Sequence, residues 1–161
     1  MGEKNNETLK RLLGTFRVEA GERLQTMSSA LFALEKSPSG AERMDIIETI
    51  FREVHSLKGA ARAVNLTRIE SVCQTLVSLF ATLKVEQLDF SSALLDLLHE
   101  AIDVIGALSD PEITDSEERS AAEAITRRVD EARRGSLATA ETSALKPADS
   151  GTAASKTESP A

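Results

Sequence analysis

The chain of 161 residues has no tryptophan, no tyrosine and a single cysteine, Cys73. One thiol excludes an internal disulfide and any metal site built from several cysteines. Only 3% of the residues are aromatic, and β-branched or aromatic residues seldom alternate with a period of two, so a sheet is not expected. No apolar run approaches the ~18–20 residues that cross a bilayer, and no signal-peptide pattern opens the sequence. A cytoplasmic location and no membrane partner are the corresponding expectations. The formal net charge of −7 argues against a nucleic-acid partner and against a polybasic membrane anchor. There is also no P-loop, no glycine-rich nucleotide loop and no cysteine–histidine ligand cluster, so no bound cofactor and no metal are expected.

What remains is helix-forming sequence. The hydrophobic fraction is 41%, drawn from Leu, Ile, Val, Ala and five Phe, which suits helix-on-helix packing in a single domain. After a polar lead-in over residues 1–5, apolar residues from Leu9 to Leu34 recur at helical spacing, with Asn6 as the expected cap of a first helix ending near Glu35. Gly14 and Gly21 are read as places where a neighbouring helix can come close. Ser37-Pro38-Ser39-Gly40 marks a turn, and a second helix is expected from about Ala41 to Val64 with Asn65 as a left-handed terminator. Thr67-Arg68-Ile69-Glu70 has the form of a capping box opening a third helix. Asp89-Phe90-Ser91-Ser92 opens a fourth, which Asp110-Pro111 ends.

Thr114 to Glu117 form another capping box, opening a fifth helix with Ala122, Ile125 and Val129 on one side and Gly135 as the stop. Its thin apolar face marks it as accessory. The predicted architecture is all-α, an antiparallel four-helix bundle over residues 6–134 with this fifth helix appended. Residues 135–161 turn to Ala, Ser, Thr, Pro and Gly and read as a disordered linker.

The most informative stretch is Phe51 to Leu66. Each helical residue turns about 100°, so Arg52, His55, Lys58, Gly59 and Arg62 share one side, while Ile47, Ile50, Val54, Leu57, Ala61 and Val64 form the core stripe. Imidazole titrates near neutrality, so much of it carries a free lone pair able to attack phosphorus. From Arg52 to Arg68 there are four cations and one acid, a local +3 in an acidic chain, and cations one turn either side of His55 suit a phosphoryl group or an acidic partner. Gly59, inside the helix, costs about 0.5–1 kcal/mol relative to alanine. Close helix packing and an ordinary exposed histidine explain these residues as well as an open approach to the ring does. His99, on the fourth helix without a motif, reads as an ordinary helical histidine, and Cys73 as a small core residue.

The run His55-Ser56-Leu57-Lys58-Gly59-Ala60-Ala61, with Val64-Asn65-Leu66 after it and Phe51-Arg52-Glu53-Val54 before it, resembles the signature of histidine phosphotransfer domains, above all the amino-terminal domain of CheA-type chemotaxis histidine kinases. The resemblance implies that His55 accepts a phosphoryl group from a kinase ATP-binding domain, which uses ATP and Mg²⁺, and passes it to an aspartate of a response-regulator receiver. Lys58 and Gly59 belong to that site by the same resemblance. Arg52 and Arg62 are candidate partner-binding residues. No ATP-binding domain is present, so the chain would be the phospho-accepting part of a larger kinase. A non-covalent receiver-docking module or a dimerising bundle is the alternative.

The sequence departs from the family at one position. Twenty-two residues after the histidine, the family's glutamate would hydrogen-bond the second ring nitrogen; here the residue is Val77. Gln74, one turn earlier, can hydrogen-bond but carries no charge. Val77→Glu is accordingly expected to speed phosphorylation of His55, measured as label incorporated per minute; an unchanged or lower rate counts against the missing carboxylate as the limiting feature.

Overall fold

A computed structural model describes residues 2–36, 40–86 and 91–135. Four helices, α1 (Gly2–Glu35), α2 (Gly40–Ala63), α3 (Thr67–Glu86) and α4 (Ser92–Leu108), pack as a ring in which α2 lies against α1 and α3, and α4 against α1 and α3. A fifth helix, α5, covers 115–135. Side-chain pairs between α2 and α3 run in opposite directions: Glu48 meets Lys84, Lys58 meets Gln74 and Arg62 meets Glu70. The same reversal relates α1 to α4, where Arg17 Nε donates to the Ser109 carbonyl and Glu35 meets His99. The antiparallel bundle is therefore present.

The core is built from the apolar stripes that the sequence places at helical spacing. Phe16, Met27 and Leu31 of α1, Ile50, Val54 and Leu57 of α2, Leu76, Leu79 and Phe80 of α3, and Leu98 and Ile105 of α4 are all buried. Among the described residues no polar or charged residue is buried, so burial of apolar surface drives assembly without compensating polar networks.

The α2–α3 connection is the sharpest local feature. Asn65 has φ of 61°, its N–H donates to Arg62 O at 3.1 Å, and the Leu66 N–H donates to Ala61 O at 2.9 Å. These are the paired bonds of a Schellman ending, which satisfies the last carbonyls of α2 within three residues. The capping box expected at Thr67 does not form. The Glu70 N–H donates instead to Leu66 O at 3.0 Å, because the chain leaves the Schellman turn already helical at Thr67, and the Glu70 carboxylate faces Arg62 at 3.8 Å.

Two further expectations are corrected. The lead-in over residues 1–5 is helical from Gly2, with Glu3 in the first turn, where an acid complements the helix dipole; Asn6 is inside the helix and does not cap it. A Cβ added at Gly14 or Gly21 meets nothing within 4 Å, so among the described residues no helix uses the space they leave. Ser91 caps α4 by accepting from the Leu94 N–H at 3.1 Å, while Asp89 and Phe90 lie outside the described residues, as does the expected linker beyond Gly135.

The Thr114–Glu117 box forms in full: the Glu117 N–H donates to Thr114 Oγ1 at 3.2 Å, and the Glu117 carboxylate accepts from the Thr114 N–H and hydroxyl. Those bonds hold the Glu117 carboxyl below its ordinary range. The Arg68 guanidinium ties α3 to Asp115 at 2.7 Å and Glu118 at 3.2 Å, Arg128 pairs with Glu100 of α4, and Ala122, Ile125 and Val129 are buried. The appended helix thus shares the core of the bundle. Ile125→Ala is expected to lower unfolding stability by about 2–4 kcal/mol, read from urea denaturation, whereas a change under about 0.5 kcal/mol would show that α5 does not unfold with the rest.

Candidate functional site

The outer side of α2 presents Arg52, His55, Lys58, Gly59 and Arg62, of which Lys58 is half-buried and the other four are exposed. Val54 and Leu57, the neighbours of that stripe on the core side, are fully buried, so packing on both α1 and α3 fixes the rotation of α2 and holds His55 outward. Arg23 of α1 steadies the same segment by pairing with Glu53 at 3.0 Å and with Glu19 at 2.9 Å.

The α2–α3 pairs fix what stands across from the imidazole. With Glu48 opposite Lys84 and Lys58 opposite Gln74, Val77 falls at the level of His55. Val77 is half-buried and packs against the core, and an isopropyl group neither accepts nor donates a hydrogen bond. No described group hydrogen-bonds the His55 ring.

Gln74 does not reach the ring. Its Oε1 accepts from Lys58 Nζ at 2.8 Å, and its Nε2 donates to Ser78 Oγ at 3.4 Å. Lys58 is therefore held toward α3, with its ammonium on a neutral amide that leaves the positive charge uncompensated. Arg62 lies 3.8 Å from Glu70 with most of its side chain in solvent, and the charge of Arg52 acts on Glu48, whose carboxyl lies below its ordinary range mainly through its hydrogen bond with Lys84. The basic side thus carries three cations around the histidine, each only lightly engaged.

Next to His55 lies an aromatic group whose part in the site shows only in three dimensions. The Phe51 ring lies parallel to the imidazole, 7° between planes and 6.4 Å between centroids, and Lys84 Nζ stands 4.7 Å from the Phe51 centroid while pairing with Glu48. The i,i+4 spacing of Phe51 and His55 is visible in sequence, but Lys84 arrives only through the pairing of α2 with α3.

The other reactive residues are elsewhere. His99 is half-buried, its Nε2 meets Glu35 Oε1 at 3.0 Å and its ring packs on Phe32, in keeping with its reading as an ordinary helical histidine. Cys73 is buried, and burial pushes its thiol up to about 12 although Lys58 opposes the shift, which leaves it protonated and unreactive near neutrality.

A small all-helical module with one histidine-centred basic site on the outside of a helix is thus defined by geometry. Residues 11–108 match the Hpt domain family, and the chain belongs to that family. Curated relatives are the chemotaxis protein CheA of Treponema pallidum (strain Nichols), 29% identical over 97 residues, which cover 60% of this chain and 12% of that protein, and CheA of Bacillus subtilis (strain 168), 30% identical over 95 residues, which cover 59% and 14%. CheA of Borreliella burgdorferi is 28% identical over 94 residues, 58% of this chain and 10% of that protein. The chain therefore spans about an eighth of the length of these relatives. Among solved structures, the phosphorylated P1 domain of CheA3 in complex with CheY6 from R. sphaeroides has the same fold, with a TM-score of 0.63 and 19% identity, covering 78% of this chain and 98% of that one.

The space at Gly59 bears on how the site is used. A Cβ there meets nothing within 4 Å, so close packing among the described residues does not require glycine. Gly59→Ala is expected to stabilise the fold by about 0.5–1 kcal/mol, read as a higher urea midpoint; a loss of stability would return Gly59 to a packing role.

Proposed function

We propose that this chain is a phosphoryl carrier in which a ring nitrogen of His55 is the acceptor. The observation that carries the reading is the exposed imidazole on the outer side of α2, with Lys58 one turn away and an open Gly59 beside it, in a chain of the Hpt family. In the first step the lone pair of one ring nitrogen attacks the γ-phosphorus of ATP held with Mg²⁺ by a kinase domain. An N–P bond forms, the bond from phosphorus to the bridging oxygen breaks, and ADP leaves with the electron pair. In the second step a carboxylate oxygen of a receiver aspartate attacks phosphorus, and the N–P electron pair returns to the imidazole.

The surrounding cations suit both steps. Arg52, Lys58 and Arg62 place positive charge where the phosphoryl oxygens and an acidic receiver pocket would lie, and such attraction is screened over about 8–10 Å at physiological salt. Lys58 needs to exchange only a neutral amide for an anion. By the family resemblance, Nε2 is the nitrogen this reading assigns to the phosphate. Solved CheA3 P1, a neighbour in fold, was captured phosphorylated and in complex with CheY6, which supports a receiver as partner. The relatives are full-length CheA proteins many times longer than this segment, and a kinase domain on the same or another chain is the proposed donor, in the cytoplasm.

The test is incubation with an active chemotaxis-type kinase domain, ATP and Mg²⁺, followed by intact mass and acid treatment. Wild type is expected to gain one acid-labile phosphate and His55→Gln none, while Gly59→Ala, though more stable, is expected to be phosphorylated more slowly because its methyl group narrows the approach. A phosphate retained in His55→Gln overturns the assignment. A His55→Gln protein that still supports signalling in cells would instead favour docking without covalent transfer.

A further inference from the structure

The imidazole of His55 is an exposed side chain with no hydrogen-bonding partner among the described residues, and Val77 at its level supplies none. An unrestrained histidine spreads over several rotamers and presents its nitrogens in several directions, which lowers the fraction ready for in-line attack. Yet one contact does restrain it. The Phe51 ring lies parallel to the imidazole at 6.4 Å between centroids, within the range in which aromatic pairs attract. Phe51 is itself held, by the core on one side and by Lys84, whose Nζ is 4.7 Å from its centroid. Lys84 in turn is fixed by Glu48 one turn before Arg52. The chain of contacts runs from Glu48 through Lys84 and Phe51 to the ring of His55, and it crosses from α2 to α3 and back.

We infer that Phe51, held in place by Lys84, is a positioning residue for phosphoryl transfer, setting the plane of the His55 ring by stacking where no carboxylate hydrogen-bonds it. This rests on His55 being the phosphoacceptor. Phe51 touches neither phosphorus nor donor; it narrows the orientations of the group that does. A stack constrains the plane of the ring but leaves both nitrogens without an acceptor, so it orients the nucleophile without choosing its tautomer. Orientation without tautomer selection is what distinguishes this device from a carboxylate.

The experiment compares Phe51→Leu, Phe51→Tyr and Lys84→Met with wild type by two readouts. The first is the NMR shift of the His55 ring protons, which reports the neighbouring aromatic current and needs no phosphorylation. The second is phosphorylation at saturating kinase domain, with the half-saturating kinase concentration measured separately. Phe51→Leu is expected to lose the ring-current shift and to slow the saturated rate about two- to tenfold, the worth of one aromatic pair, without changing half-saturation. Phe51→Tyr is expected to restore both. Lys84→Met, at a partly exposed position where refolding is not at issue, is expected to move the His55 shift and slow the rate by less.

A Phe51→Leu protein that loses the shift but is phosphorylated at the wild-type rate overturns the inference while leaving His55 as acceptor. Equal losses in the leucine and tyrosine variants would reduce Phe51 to core packing, and an unmoved shift in Lys84→Met would remove Lys84 from the device. Failure of wild type itself to take up phosphate at His55 under the same conditions sinks the phosphoacceptor reading, and the inference with it, and is told apart because the unphosphorylated shift still reports the stack.

Discussion

The three-residue connection from α2 to α3 governs nearly everything on the functional side of this molecule. A Schellman ending with Asn65 in the left-handed region leaves no slack between the helices, so the level of every α3 side chain relative to α2 follows from it. Val77 is brought beside His55, Gln74 to Lys58, Glu70 to Arg62 and Lys84 to Glu48 and Phe51. A one-residue change in this connection would rotate α3 by about 100° and exchange that whole set of neighbours. The apolar stripes of both helices hold the register from the inside, because a rotated α3 would bring Cys73, Leu76 and Phe80 out of a core they occupy almost completely.

Much of the fold was legible because it is local. Helical spacing identified the core stripes of all five helices except at the start of α1, where Leu9 is exposed and burial begins at Phe16; Asn65 announced its own positive φ, and Thr114 and Glu117 lie close enough in sequence for a capping box to be read directly. Thr67 and Glu70 present the same pattern and do not form the box, since the preceding turn delivers the chain to α3 with the Leu66 carbonyl already accepting. The signal was right about where a helix begins and wrong about which residue closes its end. The start of α1 was misplaced for a related reason: Asn6 is a good cap, but Glu3, Lys4 and Glu7 sustain helix as readily as they sustain a loop.

At the site, sequence identified the residues that share one side of α2, because that depends on a single helix. Contacts between helices were beyond it. Gln74 is able to hydrogen-bond the ring but bonds Lys58 instead, and Lys84, thirty-three residues beyond Phe51, carries no sequence signal of its cation–π contact. Gly59 lay between these cases. Spacing could not separate a packing glycine from an open one, and the empty space around it decides for the second.

The absence of a carboxylate and the weak engagement of the cations belong to one electrostatic design. A glutamate at the position of Val77 would lie near Lys58 as well as His55, since Gln74 is one turn away from it on the same side of α3. Its carboxylate would activate the ring at the cost of a contact with the lysine, whereas the amide of Gln74 leaves the ring unaided and competes only weakly with an anion for Lys58. Val77 therefore forgoes help for the ring and keeps Lys58 available. Orientation of the ring falls to Phe51, whose neutral face leaves the local charge positive. On the proposed phosphoryl-carrier reading, a site with lightly engaged cations and no carboxylate on the ring suits binding of anionic phosphoryl oxygens more than activation of the nucleophile, and such a domain gains most from a partner that brings the phosphorus to it already in line.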